Sequence, residues 1–188
     1  MKTKNIYNYI ERIAELLKVS ARQAGSEHGL QPVQLEVLGY LSVCNQFSDT
    51  PMAVTRYLGQ TKGTVSQTIK VLERKGLVLK ESDINDRRIT HIKVTEQGSK
   101  LFQDNIPPKM FVNACQDLSY IQQKEIEASL KLLLMSFIKS NNMKSFGTCN
   151  SCRYNEKISD DSFYCKLVKV PLTLSDIALI CIEHENIG

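Results

Sequence analysis

The stretch that decides the fold is Gly63-Thr-Val-Ser-Gln-Thr-Ile-Lys-Val-Leu-Glu-Arg-Lys-Gly-Leu-Val78, followed by Asp83-Ile-Asn-Asp86-Arg87-Arg88 and then by Ile92-Lys-Val94-Thr95-Glu-Gln-Gly98. Val65, Ile69 and Leu72 recur at helical spacing, Thr61 stands at the N-cap position, and Gly76 sits where a helix C-terminal glycine belongs. Two strands are expected next, Leu77 to Glu81 and Ile89 to Val94, with Thr90, Ile92 and Val94 on one face. The connection from Ser82 to Arg88 is too long and too polar for a two-residue turn, so it should project into solvent as a wing.

Working outward, Ile6, Ile10, Ile13, Leu17, Ala21 and Ala24 form a helical stripe that Gly25 can end. Pro32 opens a second helix with Leu35, Leu38 and Leu41 on one face, and Thr50-Pro51 caps a short third helix that stops near Gly59. Downstream, Thr95 caps a helix that Pro107-Pro108 must end or kink. Ser119 and Gln122 form a capping box for a last long helix carrying Ile126, Leu130, Leu133, Leu134 and Phe137. The polar stretch 140–148 reads as a linker. The expected fold is mainly α: a winged helix-turn-helix with a two-stranded β wing and a helical dimerisation region over residues 1–143, then a small Cys-rich metal-binding tail over 144–188.

Charge is concentrated where the wing and its preceding helix lie. Pro51 to Thr95 holds nine Lys/Arg against four Asp/Glu, a local excess larger than the net charge of +4 on the 188-residue chain. Phosphate contacts need such a concentration. The helix over 61–75 offers Thr61, Lys62, Thr64, Ser66, Gln67, Lys70 and Arg74 outward, a set of hydrogen-bonding and basic side chains suited to a major groove. Arg87 and Arg88 at the wing tip are long enough to enter a minor groove or clamp its phosphates.

Residues 30–100 resemble the MarR family of winged helix-turn-helix regulators, on the spacing from Leu72-Glu-Arg-Lys-Gly76 to Asp83-x-x-Asp86-Arg87-Arg88. The resemblance implies an obligate homodimer on double-stranded DNA, with a recognition helix in each of two major grooves and a wing in each flanking minor groove. It implies that the first helix and the last two build the dimer interface. It further implies that Arg88 touches DNA while Asp83 and Asp86 brace it, and that repression is relieved by a ligand or by oxidation. Two features depart from the family pattern: the Pro107-Pro108 break, and everything beyond about residue 143.

That tail carries Cys149-x2-Cys152-x12-Cys165-x15-Cys181, four of the six cysteines, with His184 close behind. Clustered cysteines in a reducing compartment are more often metal ligands or redox switches than disulfides. An iron–sulfur cluster would use all four thiols, and the runs around Cys149-Asn-Ser-Cys152 and Tyr164-Cys165-Lys resemble small tails that hold [4Fe–4S] clusters in some redox proteins. Zinc is the alternative, pairing Cys149 and Cys152 with Cys181 and His184 and leaving Cys165 unused. Free thiols or disulfide chemistry remain a third option. A cluster favours redox sensing, and a zinc favours a structural staple. Attached just beyond the expected dimerisation helix, the tail would change the spacing of the two recognition helices.

Cys44 and Cys115 read as core thiols, His28 as solvated, and His91 as facing outward toward phosphate. Tyr7, Tyr9 and Tyr40 read as core aromatics or, in a second reading, as the lining of a small-molecule effector pocket. No catalytic constellation is present, so no enzyme is expected. No apolar run reaches membrane-spanning length and the N-terminus lacks a signal-peptide core, so a cytoplasmic protein is expected. A regulator answering a small ligand, with zinc purely structural, is the alternative within binding proteins. A redox or electron-transfer protein is the alternative outside them, although a basic recognition helix and wing have no use there.

Overall fold

The computed structural model describes residues 2–186. Seven helices and a two-stranded ribbon come first: α1 (Lys2–Glu27), α2 (Pro32–Val43), α3 (Pro51–Leu58), α4 (Lys62–Arg74), β1 (Val78–Ser82), β2 (Thr90–Val94), α5 (Glu96–Asn105), α6 (Lys109–Gln116) and α7 (Tyr120–Ser140). The tail adds a single 3-10 turn at Cys149–Ser151, the strands β3 (Asn155–Lys157), β4 (Ser162–Cys165) and β5 (Val170–Thr173), and α8 (Leu174–Ile177).

Local hydrogen bonds set most of these boundaries. The hydroxyls of Thr50, Thr61, Thr95 and Ser119 each accept from the amide three residues on, satisfying a donor that the first helical turn leaves free. Pro107 and Pro108 separate α5 from α6, as their missing amides require.

The core gathers around α2. Leu35, Val37, Leu38, Tyr40 and Leu41 are all buried, more of the helix than the single expected face, because α1, α3, α4, α5 and β2 surround it. Val65, Ile69 and Leu72 of α4 pack against it with Ala53, Val54, Val78 and Ile92. A Cβ on Gly98 would lie 2.1 Å from the Leu77 carbonyl oxygen, so only glycine lets the first turn of α5 press onto the root of the wing. By contrast α7 buries none of its residues in the single chain, and Ile126, Leu130, Leu134 and Phe137 stand exposed along it.

The tail is a three-stranded antiparallel meander, β3-β4-β5, over a small core of Cys149, Phe163 and Leu172. It is docked rather than tethered. Ile182 and Phe146 join the core of the helical domain, and the Ile180 amide donates to the Val43 carbonyl at 2.9 Å. The stretch read as a linker therefore packs: the Phe146 ring lies edge-on to Tyr57 at 5.2 Å and to Tyr40 at 6.2 Å. One aromatic in a polar run has no periodicity to announce its burial.

Candidate functional site

On α4, burial and exposure alternate as a groove-reading helix needs. Val65, Thr68, Ile69 and Leu72 are buried, whereas Lys62, Thr64, Ser66, Gln67, Lys70 and Arg74 are exposed. Thr61 is exposed as well, but its hydroxyl caps the helix and lies 2.9 Å from that of Thr64. Those two hydroxyls hold the helix start, which leaves Ser66, Gln67 and the cations as the outward-facing side chains not engaged in the cap.

Register fixes the wing. Val78 pairs with Val94 and Ser82 with Thr90, so residues 83–89 form the loop. The Asp83 carboxylate accepts the Asn85 and Asp86 amides at 2.8 and 2.7 Å, an Asx turn that folds the tip. These amides hold the Asp83 carboxyl below its usual range, with a further contribution from His91. Arg88 donates Nε and Nη2 to Asp86 at 2.9 and 2.7 Å, and the pair depresses the Asp86 carboxyl. Asp86 thus braces Arg88 as implied, while Asp83 braces the loop backbone instead. Arg87 is exposed at the tip.

His91 corrects the outward reading. Its Nδ1 donates to Asp49 at 2.5 Å and its Nε2 to Asp83 at 3.1 Å, and the side chain is only 17% exposed. Asp49 also accepts from Lys93 at 2.6 Å. Chiefly the Asp49 hydrogen bond, then that to Asp83, raises the His91 pKa against an opposing cost of burial. Strand alternation gives the correct face of the wing, but the loop between α2 and α3 covers that face.

The four tail cysteines line one small pocket with a free volume of about 20 Å³. They arrive from three places: Cys149 and Cys152 on the 3-10 turn and its C-cap, Cys165 at the end of β4 and Cys181 beyond α8. Phe47, Leu167, Val168 and Leu172 supply apolar wall, and Asn45, Tyr154, Asn155 and Glu183 complete it. Asn45 Nδ2 donates to Cys149 Sγ at 3.6 Å. A hydrogen bond from Cys149 lowers the Cys181 pKa to about 6, and the same contact pushes Cys149 up. Asn155 holds a buried side-chain oxygen without a hydrogen-bond partner in the cavity wall.

Two features of this donor set bear on the metal. All four candidate donors are sulfur, the soft ligand that iron–sulfur clusters and zinc select. Among the described residues no three His, Cys, Asp or Glu side chains form a ready single-ion site, although the Cys149 and Cys181 thiols are in hydrogen-bond contact. Zinc needs every sulfur at about 2.3 Å from one point, whereas a cluster presents a separate iron to each thiolate. His184 does not line the cavity. It is 2% exposed, with Nδ1 facing the Ser145 hydroxyl at 2.5 Å and Nε2 the Ser151 hydroxyl at 3.0 Å. Its burial lowers its pKa, and the ring lies so close to Gly147 that a Cβ there would come within 2.5 Å. His184 is thus a packed, hydrogen-bonded core histidine.

The remaining sequence candidates separate. Cys44 is buried and its thiol is pushed up to about 12, chiefly by desolvation, so it is a core residue rather than a reactive thiol. Cys115 is half-buried on α6. Tyr40 is buried and donates to the Ser48 carbonyl at 2.8 Å, while Tyr7 and Tyr9 stand exposed on α1. The three tyrosines do not share a pocket in the single chain.

Known proteins share the helical and winged part. A family profile described as MarR family matches residues 28–89. The HTH-type transcriptional regulator MhqR of Bacillus subtilis is 27% identical over 108 residues, 57% of this chain and 72% of that protein. MepR of Staphylococcus aureus, solved in complex with DNA, is 30% identical with a TM-score of 0.57, and the match covers 97% of MepR and 69% of this chain. The chain belongs to the MarR family. A MarR regulator from Methanosarcina mazei Go1 shares the fold at a TM-score of 0.62 and 23% identity, covering 72% of this chain and 98% of that one. This MarR-type transcriptional regulator therefore matches nearly the whole length of MepR and adds a segment outside that match. Asn45, Phe47, Asp49 and Asn155 are the site residues that sequence reasoning missed. Asn45 and Cys149 touch across 104 residues, and no local pattern marks such a contact.

Proposed function

We propose that this MarR-type regulator is a repressor that binds an inverted-repeat operator as a homodimer, with its affinity set by a [4Fe–4S] cluster on Cys149, Cys152, Cys165 and Cys181. The observation that supports the cluster is the single pocket lined by all four thiols, a donor set of four sulfurs and no imidazole. The dimer is supported by the exposed apolar rows on α1 and α7, which no element of the same chain covers among the described residues. DNA binding is supported by the exposed set on α4 and by the DNA complex of MepR.

Ser66 and Gln67 read base edges in this scheme, Lys62, Lys70, Arg74 and Arg87 attract phosphate, and Arg88 is presented by Asp86. Two recognition helices on a twofold axis place half-site centres ~10 bp apart. Redox sensing is the function of the cavity: oxidation and loss of the cluster is the signal. Footprinting on the isolated operator tests the DNA part, and protection of one asymmetric half-site by a monomer would refute it. Anaerobic purification tests the cofactor part. Brown protein containing iron and sulfide is expected; colourless protein with one zinc per chain would make the tail a structural staple.

A further inference from the structure

The cysteine cavity and the wing are joined by one largely buried loop, residues 44–49 between α2 and α3. On the cavity side, Asn45 donates to Cys149 Sγ at 3.6 Å, and Phe47 forms part of the wall. Inside the loop, Asn45 Oδ1 accepts the Phe47 amide at 3.1 Å and the Ser48 hydroxyl at 2.7 Å. The Ser48 hydroxyl accepts the Ile182 amide of the tail at 2.9 Å. On the wing side, the Asp49 carbonyl accepts the Ile92 amide of β2 at 2.7 Å, and the Asp49 carboxylate holds His91 and Lys93. His91 reaches Asp83, which folds the tip that carries Arg87 and Arg88.

The loop's polar links are sheltered from water: Asn45, Ser48 and Asp49 are 3%, 0% and 4% exposed. Buried polar groups that move apart have no solvent to re-pair with, so a displacement at one end is resisted along the whole run. The wing loop itself is exposed and anchored mainly through Asp83. A tight network therefore ends on a loosely held element.

We propose that the 44–49 loop couples the cysteine cavity to the wing: a group bound by the four thiols fixes Asn45 against Cys149, and Ser48 and Asp49 carry that constraint through His91 to Asp83 and the wing tip. The proposal rests on the cluster reading of the cavity. It routes the signal within one chain, through the DNA-binding domain, instead of through the dimerisation helices. Asn45 and Asp49 are positioning residues in this scheme and touch neither iron nor DNA.

The test uses the full-length protein reconstituted anaerobically with ferrous iron and sulfide, alongside its metal-free form. Operator affinity should differ about tenfold between the two forms in the wild type, within the usual range for coupled sites. Asn45→Asp keeps the acceptor that orders the loop and removes the N–H that meets the sulfur; Asp49→Asn weakens the His91 and Lys93 links on the wing side of the loop. Both variants should load iron and sulfide, yet the ratio of affinities should fall toward one. Hydrogen exchange at amides 83–89 should respond to reconstitution in the wild type and not in Asp49→Asn. Should Asn45→Asp lose iron binding, Asp49→Asn alone decides the matter.

An unchanged tenfold ratio in a loaded Asp49→Asn protein, with unchanged exchange behaviour in the wing, overturns the coupling route and leaves the cluster reading intact. Failure of the wild type to take up iron and sulfide overturns the cluster reading itself, and the coupling with it.

Discussion

The exposed face of α4 and the cysteine cavity hold their candidate functional atoms in opposite ways. On α4 the backbone is fixed by Val65, Ile69 and Leu72 inside, and Ser66, Gln67 and Lys70 stand outside with no part in the packing. Around the cavity the functional atoms are themselves core. Cys149 packs with Phe163 and Leu172, and the wall is completed by a loop distant in the chain. Reading and folding are separable in the first region and inseparable in the second. Substitutions on α4 should change affinity at constant stability, while substitutions around the cavity should change both.

The largest effect should come where the tail enters the main core. Ile182 is 7% exposed among the residues of the helical domain. Ile182→Ala should cost about 2–5 kcal/mol in urea unfolding, through lost burial and the cavity left behind. A cost below about 0.5 kcal/mol, the range of surface changes, would break the comparison by showing that the tail is held only at its own small core.

Next is Gln67→Ala, which should relax discrimination at one base of the operator by roughly 1–3 kcal/mol. Its urea midpoint should stay at the wild-type value. Equal losses on operator and random DNA would remove Gln67 from the base-reading set. Lys70→Ala should act differently, weakening binding to all sequences and reducing the log–log salt slope by about one unit. Titrations at several salt concentrations separate the two roles.

The smallest effect concerns the base of the wing, where His91 lies between Asp49 and Asp83 with Lys93 beside it. Its folded pKa is raised above the ordinary 6.5, chiefly by the Asp49 hydrogen bond. The protonated ring therefore stabilises the fold fully below about pH 6.5, and that contribution is lost as pH rises through the elevated folded value. The stability difference between wild type and His91→Asn should be greatest in mildly acidic buffer and shrink toward alkaline pH. A difference that grows with pH would mean that the ring is neutral in the fold.

The same division governs what is legible in the sequence. The caps at Thr50, Thr61, Thr95 and Ser119, the break at Pro107-Pro108 and the alternation along α4 are local, with cause and effect within a few residues. The cysteine spacing likewise announces a shared site. It cannot announce Asn45 and Phe47 in the wall, because these lie about a hundred residues from Cys149 and follow no period. The Cys181-x2-His184 spacing suggests a ligand pair, but the hydroxyls of Ser145 and Ser151 occupy both ring nitrogens of His184. Spacing along the chain says which donors are close in sequence and nothing about what else competes for them. His91 meets the same limit: a strand's period assigns a face, and only tertiary packing says what covers it.

The central claim is that the cavity holds a cluster to which DNA binding answers. The most direct measurement is operator affinity on one anaerobic preparation, before and after the cluster is removed, with iron, sulfide and zinc determined per chain in the same sample. The account predicts about four irons and four sulfides per chain, and an affinity that changes about tenfold on removal while the protein stays folded and dimeric. One zinc without sulfide, or equal affinity in both forms, would contradict it.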